Sequence, residues 1–121
     1  MGQVATIDST FLGWEDHGIL TAYLQCNWPG MGIGVGGFGL DKSTGAPDYA
    51  RVGTAYGLDH IMRLMQTVGV HKWEDLKGKT VIILFEQDDP WGSGAKGIAH
   101  HLEDKVFILS AHAEQWRNEN G

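Results

Sequence analysis

Cysteine, positive charge and long apolar runs are all scarce in this sequence of 121 residues. Cys26 is the single cysteine, so no disulfide can form within the chain and a cytosolic setting is the default expectation. Nine Lys and Arg against fifteen Asp and Glu give a net charge of −6, which argues against binding of duplex nucleic acid. The longest apolar runs, such as 81–85, have four or five residues, so we expect no membrane-spanning segment and no membrane partner.

Glycine is abundant, with 18 residues, and six of them fall in the stretch PGMGIGVGGFGLD at 29–41. Gly32, Gly34 and Gly37 spell G-x-G-x-x-G, the pattern of a dinucleotide-binding loop. That loop needs a helix directly after it, and no helical pattern follows here. The glycines instead recur at every second residue from 32 to 36, so we predict a strand with one bare face. A neighbouring tryptophan or a flat ligand could pack on such a face.

Alternating and helical patterns predict an α+β fold: a mainly antiparallel sheet with two helices packed on it, in a single domain over 1–121. Strands are predicted at 3–12, 19–28, 30–40, 80–85, 95–102 and 105–109, with a loop at 42–53 and a polar turn at 86–94. The strand at 80–85 is β-branched and apolar almost throughout, which places it centrally.

Two helices are predicted from capping residues and periodicity. Thr54 caps the first, over 55–68, and Gly69 ends it, while Ser110 caps the second. The apolar residues of the first helix are taken as its buried stripe, and the polar ones as its other faces. The predicted stripe consists of Leu58, Ile61, Met62, Met65 and Val68, and the predicted outer residues are Asp59, His60, Arg63, Gln66 and Thr67.

Catalytic and metal-binding patterns are weak. Six histidines show no recognised ligand spacing, so we expect no metal site, and no cofactor motif is present. Glu15, Asp16 and His17 lie in a glycine-flanked turn, which leaves a small carboxylate or metal-dependent hydrolase as an alternative. Cys26 follows Leu24 on an apolar strand face, which favours a buried, unreactive thiol.

Three side chains favour a binding protein over an enzyme. Phe85 ends the strand predicted to be central, where a sheet commonly meets a pocket. Arg63 lies on the polar face of the first helix, and Arg117 lies beside Trp116 in the second. Arginine recognises phosphate through its planar fork and aromatic rings stack on bases, although both arginines could equally be solvated helix charges.

Several segments together resemble the first type of Thoeris anti-defence protein, a family of small phage and prophage proteins. The segments are STFLGWEDHGILTAYL, GGFGLD, TAYGLDHIMRLMQTVGVHKWEDLKGK and GIAHHLEDKVF, which cover most of the chain. The resemblance implies a sponge that binds cyclic ADP-ribose isomers, made by bacterial TIR-domain enzymes, in the host cytoplasm without cleaving them. It also implies dimers or larger oligomers and, in some members, cyclic oligonucleotides as a second class of ligand held between protomers.

The resemblance also implies a ligand pocket lined by an aromatic ring, an amide and two arginines. The matching positions are Phe85, His100 (an imidazole in place of the amide), Arg117 and Arg63. The predicted function is therefore sequestration of a cyclic ADP-ribose signal by a non-enzymatic homo-oligomer. The alternatives are the hydrolase described above and an inhibitor that binds a host defence protein through a tryptophan-rich surface.

Overall fold

A computed structural model of the protein describes residues 2–15, 18–46, 50–85 and 95–120, with side chains up to 117. Six strands form one antiparallel sheet in the order β3-β2-β1-β6-β7-β8. They are β1 (Gly2–Trp14), β2 (Leu20–Trp28), β3 (Met31–Gly39), β6 (Thr80–Phe85), β7 (Ala95–His100) and β8 (Val106–Ile108). The predicted α+β class and the central position of 80–85 are confirmed.

Two elements in the predicted loop at 42–53 were not anticipated. β4 (Asp41–Ser43) and β5 (Arg51–Gly53) pair as a separate two-stranded hairpin. The Arg51 guanidinium donates two hydrogen bonds to Asp41, at 2.8 and 3.0 Å, and these keep the pKa of Asp41 below its usual range. Asp41 also accepts from the backbone N–H of Leu20, so the small hairpin is tied to the main sheet.

The helices are α1 (Ala55–Val68) and α2 (Leu109–Asn120), with one turn of 3-10 helix at Trp73–Asp75. Both caps of α1 are confirmed: Thr54 accepts a hydrogen bond from Gly57 N–H, and Gly69 adopts the left-handed conformation. The predicted cap of α2 is wrong by two residues, because the helix begins at Leu109. Ser110 lies inside the helix because buried Leu109 starts it directly after β8, without an intervening loop.

The core lies between the sheet and the helices. Alternate strand residues such as Leu24 and Ile83 pack with Leu64 of α1 and Leu109 of α2. A bulge between Ile7 and Ser9 shifts the faces of β1, so Ser9 is exposed although simple alternation would place it on the buried face of Ile7.

The buried face of α1 differs from the predicted stripe. His60, Leu64, Thr67 and Val68 are buried together with Gly57, while Leu58 is 64% exposed and Met62 is 43% exposed. The reason is tertiary: Gly57 lies directly against the backbone carbonyl of Leu40, which fixes how the helix is rotated on its axis. The apolar side chains of Leu58 and Met62 therefore face outwards.

The glycine stretch is strand β3, as predicted, and the next helix begins only at Ala55. Ile33 and Val35 face the core, while Gly32 and Gly34 are exposed. Within the described part of the chain no tryptophan covers this bare face. A Cβ built on Gly34 would reach only the Gln25 side chain, at 4.0 Å.

Gly36, rather than Gly34, is a position of β3 that requires glycine. Its φ is +116°, and a Cβ there would lie 2.5 Å from the carbonyl oxygen of Ala22. We therefore expect Gly36→Val to lower the free energy of unfolding by about 1–3 kcal/mol or more. Gly34→Val should change it by less than about 0.5 kcal/mol. Urea denaturation of both variants tests this, and equal losses would contradict it.

Candidate functional site

The clearest candidate site is a cleft of about 340 Å³ where α2 faces the end of β3 and the first turn of α1. We call it the aromatic cleft, and its lining residues are Phe38, Gly39, Tyr56, Ala113, Trp116 and Arg117. Three aromatic rings and one guanidinium can stack on a planar heterocycle and bind an attached anionic group. Arg117 is the one predicted site residue found here.

Local structure explains why these side chains meet. Phe38 is near the end of β3, where the strand leads into Leu40, and the backbone of Leu40 accepts a hydrogen bond from the Thr54 hydroxyl. That contact and the cap at Thr54 bring Tyr56 beside Phe38. Burial raises the pKa of the Tyr56 hydroxyl, and the positive charge of Arg117 acts in the opposite direction.

A second cleft of similar volume lies on the other side of Trp116. We call it the polar cleft, and its lining residues are Asp59, Arg63, Val106, Phe107, Ile108, Ala111, His112, Gln115 and Trp116. Arg63 is half exposed and forms an ion pair of 3.3 Å with Asp59, one turn earlier on α1. Arg63 and Arg117 therefore belong to neighbouring clefts that share the Trp116 wall.

Beside the two clefts lies a cluster of partly or fully buried polar side chains that sequence analysis missed. Asp59 Oδ2 lies 2.7 Å from His112 Nε2, which joins α1 to α2. His60 is fully buried, and burial lowers its pKa from 6.5 to about 4. Tyr56 Oη, both nitrogens of His60 and Nδ1 of His112 are buried without a hydrogen-bond partner among the described residues. Tyr56, Asp59 and His60 follow the i, i+3, i+4 spacing of one helix face, and this was the available sequence signal. Nothing in the local sequence indicated that α1 and α2 meet.

Phe85 and His100 do not join Arg117 in either cleft. Phe85 is only 3% exposed and packs edge-on against Trp28 in the core, so its ring is not available for stacking on a ligand. His100 pairs with Val81 and Phe85 with Ala95 in the β6–β7 register. The two predicted ligand residues are thus roughly 16 Å apart along β7.

His100 has a structural role at the β7–β8 turn. Its Nδ1 accepts hydrogen bonds from the backbone N–H groups of Leu102 and Glu103. His101 lies in the turn and stacks on His100 with the ring centroids 5.4 Å apart, rather than pointing to the opposite face of the strand. The strand ends at His100, before His101 could alternate.

The alternative chemistries find little further support. Asp16 and His17, like the polar turn at 86–94, lie outside the described residues, so the hydrolase alternative stays a prediction. Among the described residues no group of three or more His, Cys, Asp or Glu side chains is placed to hold a metal ion. Cys26 is buried, and burial raises the pKa of its thiol to about 12, which fits an unreactive cysteine.

The fold and the cleft define an α+β protein with an aromatic cleft and an arginine at its wall. Comparisons with known protein families, with curated proteins and with solved structures find no match for this chain. Neither helix in the described part of the chain is long and apolar enough to cross a membrane. The family resemblance stays a prediction.

Proposed function

We propose that the protein binds and sequesters a small cyclic nucleotide-like immune signal of the cyclic ADP-ribose type, without cleaving it. The observation that carries this proposal is the aromatic cleft, which combines the rings of Phe38, Tyr56 and Trp116 with the guanidinium of Arg117. Its volume falls in the range of small-molecule sites. Sequestration acts by mass action, because tight binding lowers the free signal below the level that its effector needs.

The charge distribution around the cleft supports an anionic ligand in spite of the net charge of −6. Arg117 is exposed, and no ion pair joins it to a carboxylate of the described residues, whereas Arg63 is already paired with Asp59. A pyrophosphate-bearing ligand would give Arg117 a bidentate partner, and its base would lie against the aromatic rings.

Calorimetric titration of cyclic ADP-ribose isomers and of a cyclic oligonucleotide panel tests the proposal. Each bound sample is then denatured by heat, and the released compound is analysed by mass spectrometry. We expect one class to bind stoichiometrically and to be released intact. Release of a cleaved product would favour the hydrolase, and silence across both panels would refute sequestration of these signals.

An exposed apolar patch favours inhibition of a host protein as the second candidate function. Leu12, Trp14 and Ile19 are exposed at the β1–β2 end of the sheet, and Trp14 is 67% exposed. Tryptophan is enriched among the residues that dominate protein–protein binding energy. A partner captured from host lysate by the wild type but not by Trp14→Ser, with no ligand detected, would favour this candidate.

We expect the protein to be a homo-oligomer in solution. Leu58 and Met62 are exposed one turn apart on α1, and a second copy could cover them through a symmetric contact. Light scattering at micromolar concentration should report at least a dimer. Met62→Glu should reduce the mass, and Lys77→Gln, which changes the charge by the same amount at an exposed position outside α1, should not. A monomeric wild type would contradict the expectation.

A further inference from the structure

We propose that the Asp59–His112 hydrogen bond, packed on His60, is an acid-sensitive latch that joins α1 to α2 and sets the width of the aromatic cleft. The link to ligand affinity rests on the proposed function, whereas the latch itself does not. Asp59, His60 and His112 are positioning residues in this proposal, because Tyr56 and Trp116 are the ones that line the aromatic cleft.

The spacing of residues on the two helices places the latch next to the aromatic cleft. Tyr56 precedes Asp59 by three residues on α1, and Trp116 follows His112 by four on α2. These two rings of the aromatic cleft therefore each lie one helical turn from a latch residue. The Asp59–His112 contact of 2.7 Å therefore fixes the separation of Tyr56 and Trp116, whose ring centroids are 6.4 Å apart. When the latch opens, the wall formed by Trp116 moves away from Tyr56.

His60 makes this latch sensitive to acid. Its imidazole is fully buried and contacts the rings of Phe38, Tyr56, Phe107 and His112, with centroid distances of 5.5–6.0 Å. Neither nitrogen has a hydrogen-bond partner within the described ranges. A protonated ring in this position would be a buried charge with an unpartnered donor on each nitrogen, which is far costlier than the neutral ring.

The groups facing His60 determine the sign of the pH effect. Burial opposes protonation, and so does His112 from α2. Together they outweigh the carboxylate of Asp59 on α1, which favours protonation, and lower the pKa of His60 to about 4. Among the described residues Tyr56 is a further titratable neighbour, and β3 and β8 contribute the uncharged rings of Phe38 and Phe107. The contribution of buried, neutral His60 to the stability of the closed latch is therefore complete above about pH 6.5 and is lost as the pH falls towards 4. Asp59 stays ionised throughout, because the hydrogen bond with His112 keeps its pKa below 3.8.

Hydrogen exchange of the ligand-free protein tests the latch. An opening that exposes His60 should become about 20-fold more favourable between pH 7 and pH 5, given pKa values of 6.5 in the open state and about 4 in the closed state. After correction for intrinsic exchange, we expect α2 amides to show this increase. They should also exchange faster than the most protected amides of β1 and β6 at both pH values, because the latch opens without global unfolding.

Substitutions of His60 distinguish an acid-sensitive latch from a histidine that only contributes to the stability of the fold. His60→Leu should abolish the increase in α2, and His60→Phe serves if the leucine variant folds poorly. His101→Gln, which replaces an exposed histidine, should retain the increase. The proposal is overturned if α2 exchange does not depend on pH after correction. It is also overturned if α2 and the sheet exchange at the same rate at both pH values, because the opening would then be global unfolding.

Ligand affinity provides the second arm of the test. A ligand identified by the titrations above should bind more weakly at pH 5 than at pH 7 in the wild type, with much less change in His60→Leu. A pH-dependent α2 opening with no ligand in any panel would leave the latch standing and remove the proposed function. Equal pH dependence of affinity in both proteins would remove the link between latch and cleft.

Discussion

Replacing Gly57 by alanine is expected to destabilise the protein by about 3 kcal/mol. In an exposed helix this substitution stabilises, because alanine is favoured over glycine by about 1 kcal/mol. Here the added Cβ would overlap the carbonyl carbon and oxygen of Leu40. The overlap is with backbone, so no side-chain rotation relieves it, and either α1 or the end of β3 has to shift. The steric cost therefore exceeds the gain in helix propensity.

Urea denaturation followed by far-ultraviolet circular dichroism measures this effect. Gly53→Ala is the matched control, because no atom of a non-neighbouring described residue lies within 4 Å of a Cβ built at that exposed position. We expect the control to change stability by less than about 0.5 kcal/mol. A Gly57→Ala variant as stable as the wild type would show that α1 does not lie this closely against Leu40.

Gly57 also illustrates why the helix was correctly located from sequence but incorrectly oriented. Its ends follow from local chemistry, since the Thr54 hydroxyl caps the first turn and Gly69 adopts the left-handed conformation that glycine favours. Its rotation depends on the contact of Gly57 with Leu40, which lies before the helix in the chain, at the end of β3. Hydrophobic periodicity assigned Leu58 and Met62 to the core, but the close backbone contact turns them towards solvent.

Strands were predicted well where alternation is uninterrupted and less well where it is broken. Leu24 and Cys26 were correctly predicted on the buried face of β2, because they alternate with polar neighbours. The alternation fails at the start of the strand, where Thr21 is buried as well as Ala22. The bulge in β1 carries no clear sequence signal, so simple alternation would place Ser9 on the wrong face.

The candidate site was only partly predictable. Trp116 and Arg117 are adjacent, so their association on α2 could be read directly from the sequence. The pairing of Asp59 with His112 spans 53 residues and depends on how the two helices meet. Phe85 was placed in the site as the end of a strand, but its ring turns into the core, where it packs against Trp28.

Arg117→Ala should weaken ligand binding by about 2–5 kcal/mol, or about 30-fold to several thousand-fold, if the proposed anionic ligand occupies the aromatic cleft. The guanidinium would form two charge-assisted hydrogen bonds with a phosphate, and alanine removes both. Arg117 is exposed in the free protein, so its loss should barely change the melting temperature. Calorimetric titration therefore reports binding without an accompanying loss of folded protein.

Arg63→Ala is the matched control, because it removes an arginine from the polar cleft across Trp116. If one pocket contained both arginines, as the sequence resemblance implies, the two variants should lose similar affinity. The separate clefts of this structure instead predict a change of less than about threefold for Arg63→Ala, below 1 kcal/mol. Arg117→Lys should recover only part of the affinity, because an ammonium cannot form the paired hydrogen bonds of a guanidinium. Binding by Arg117→Ala as tight as that of the wild type would exclude Arg117 from the site, and with it the charge on which recognition of an anion in this cleft depends.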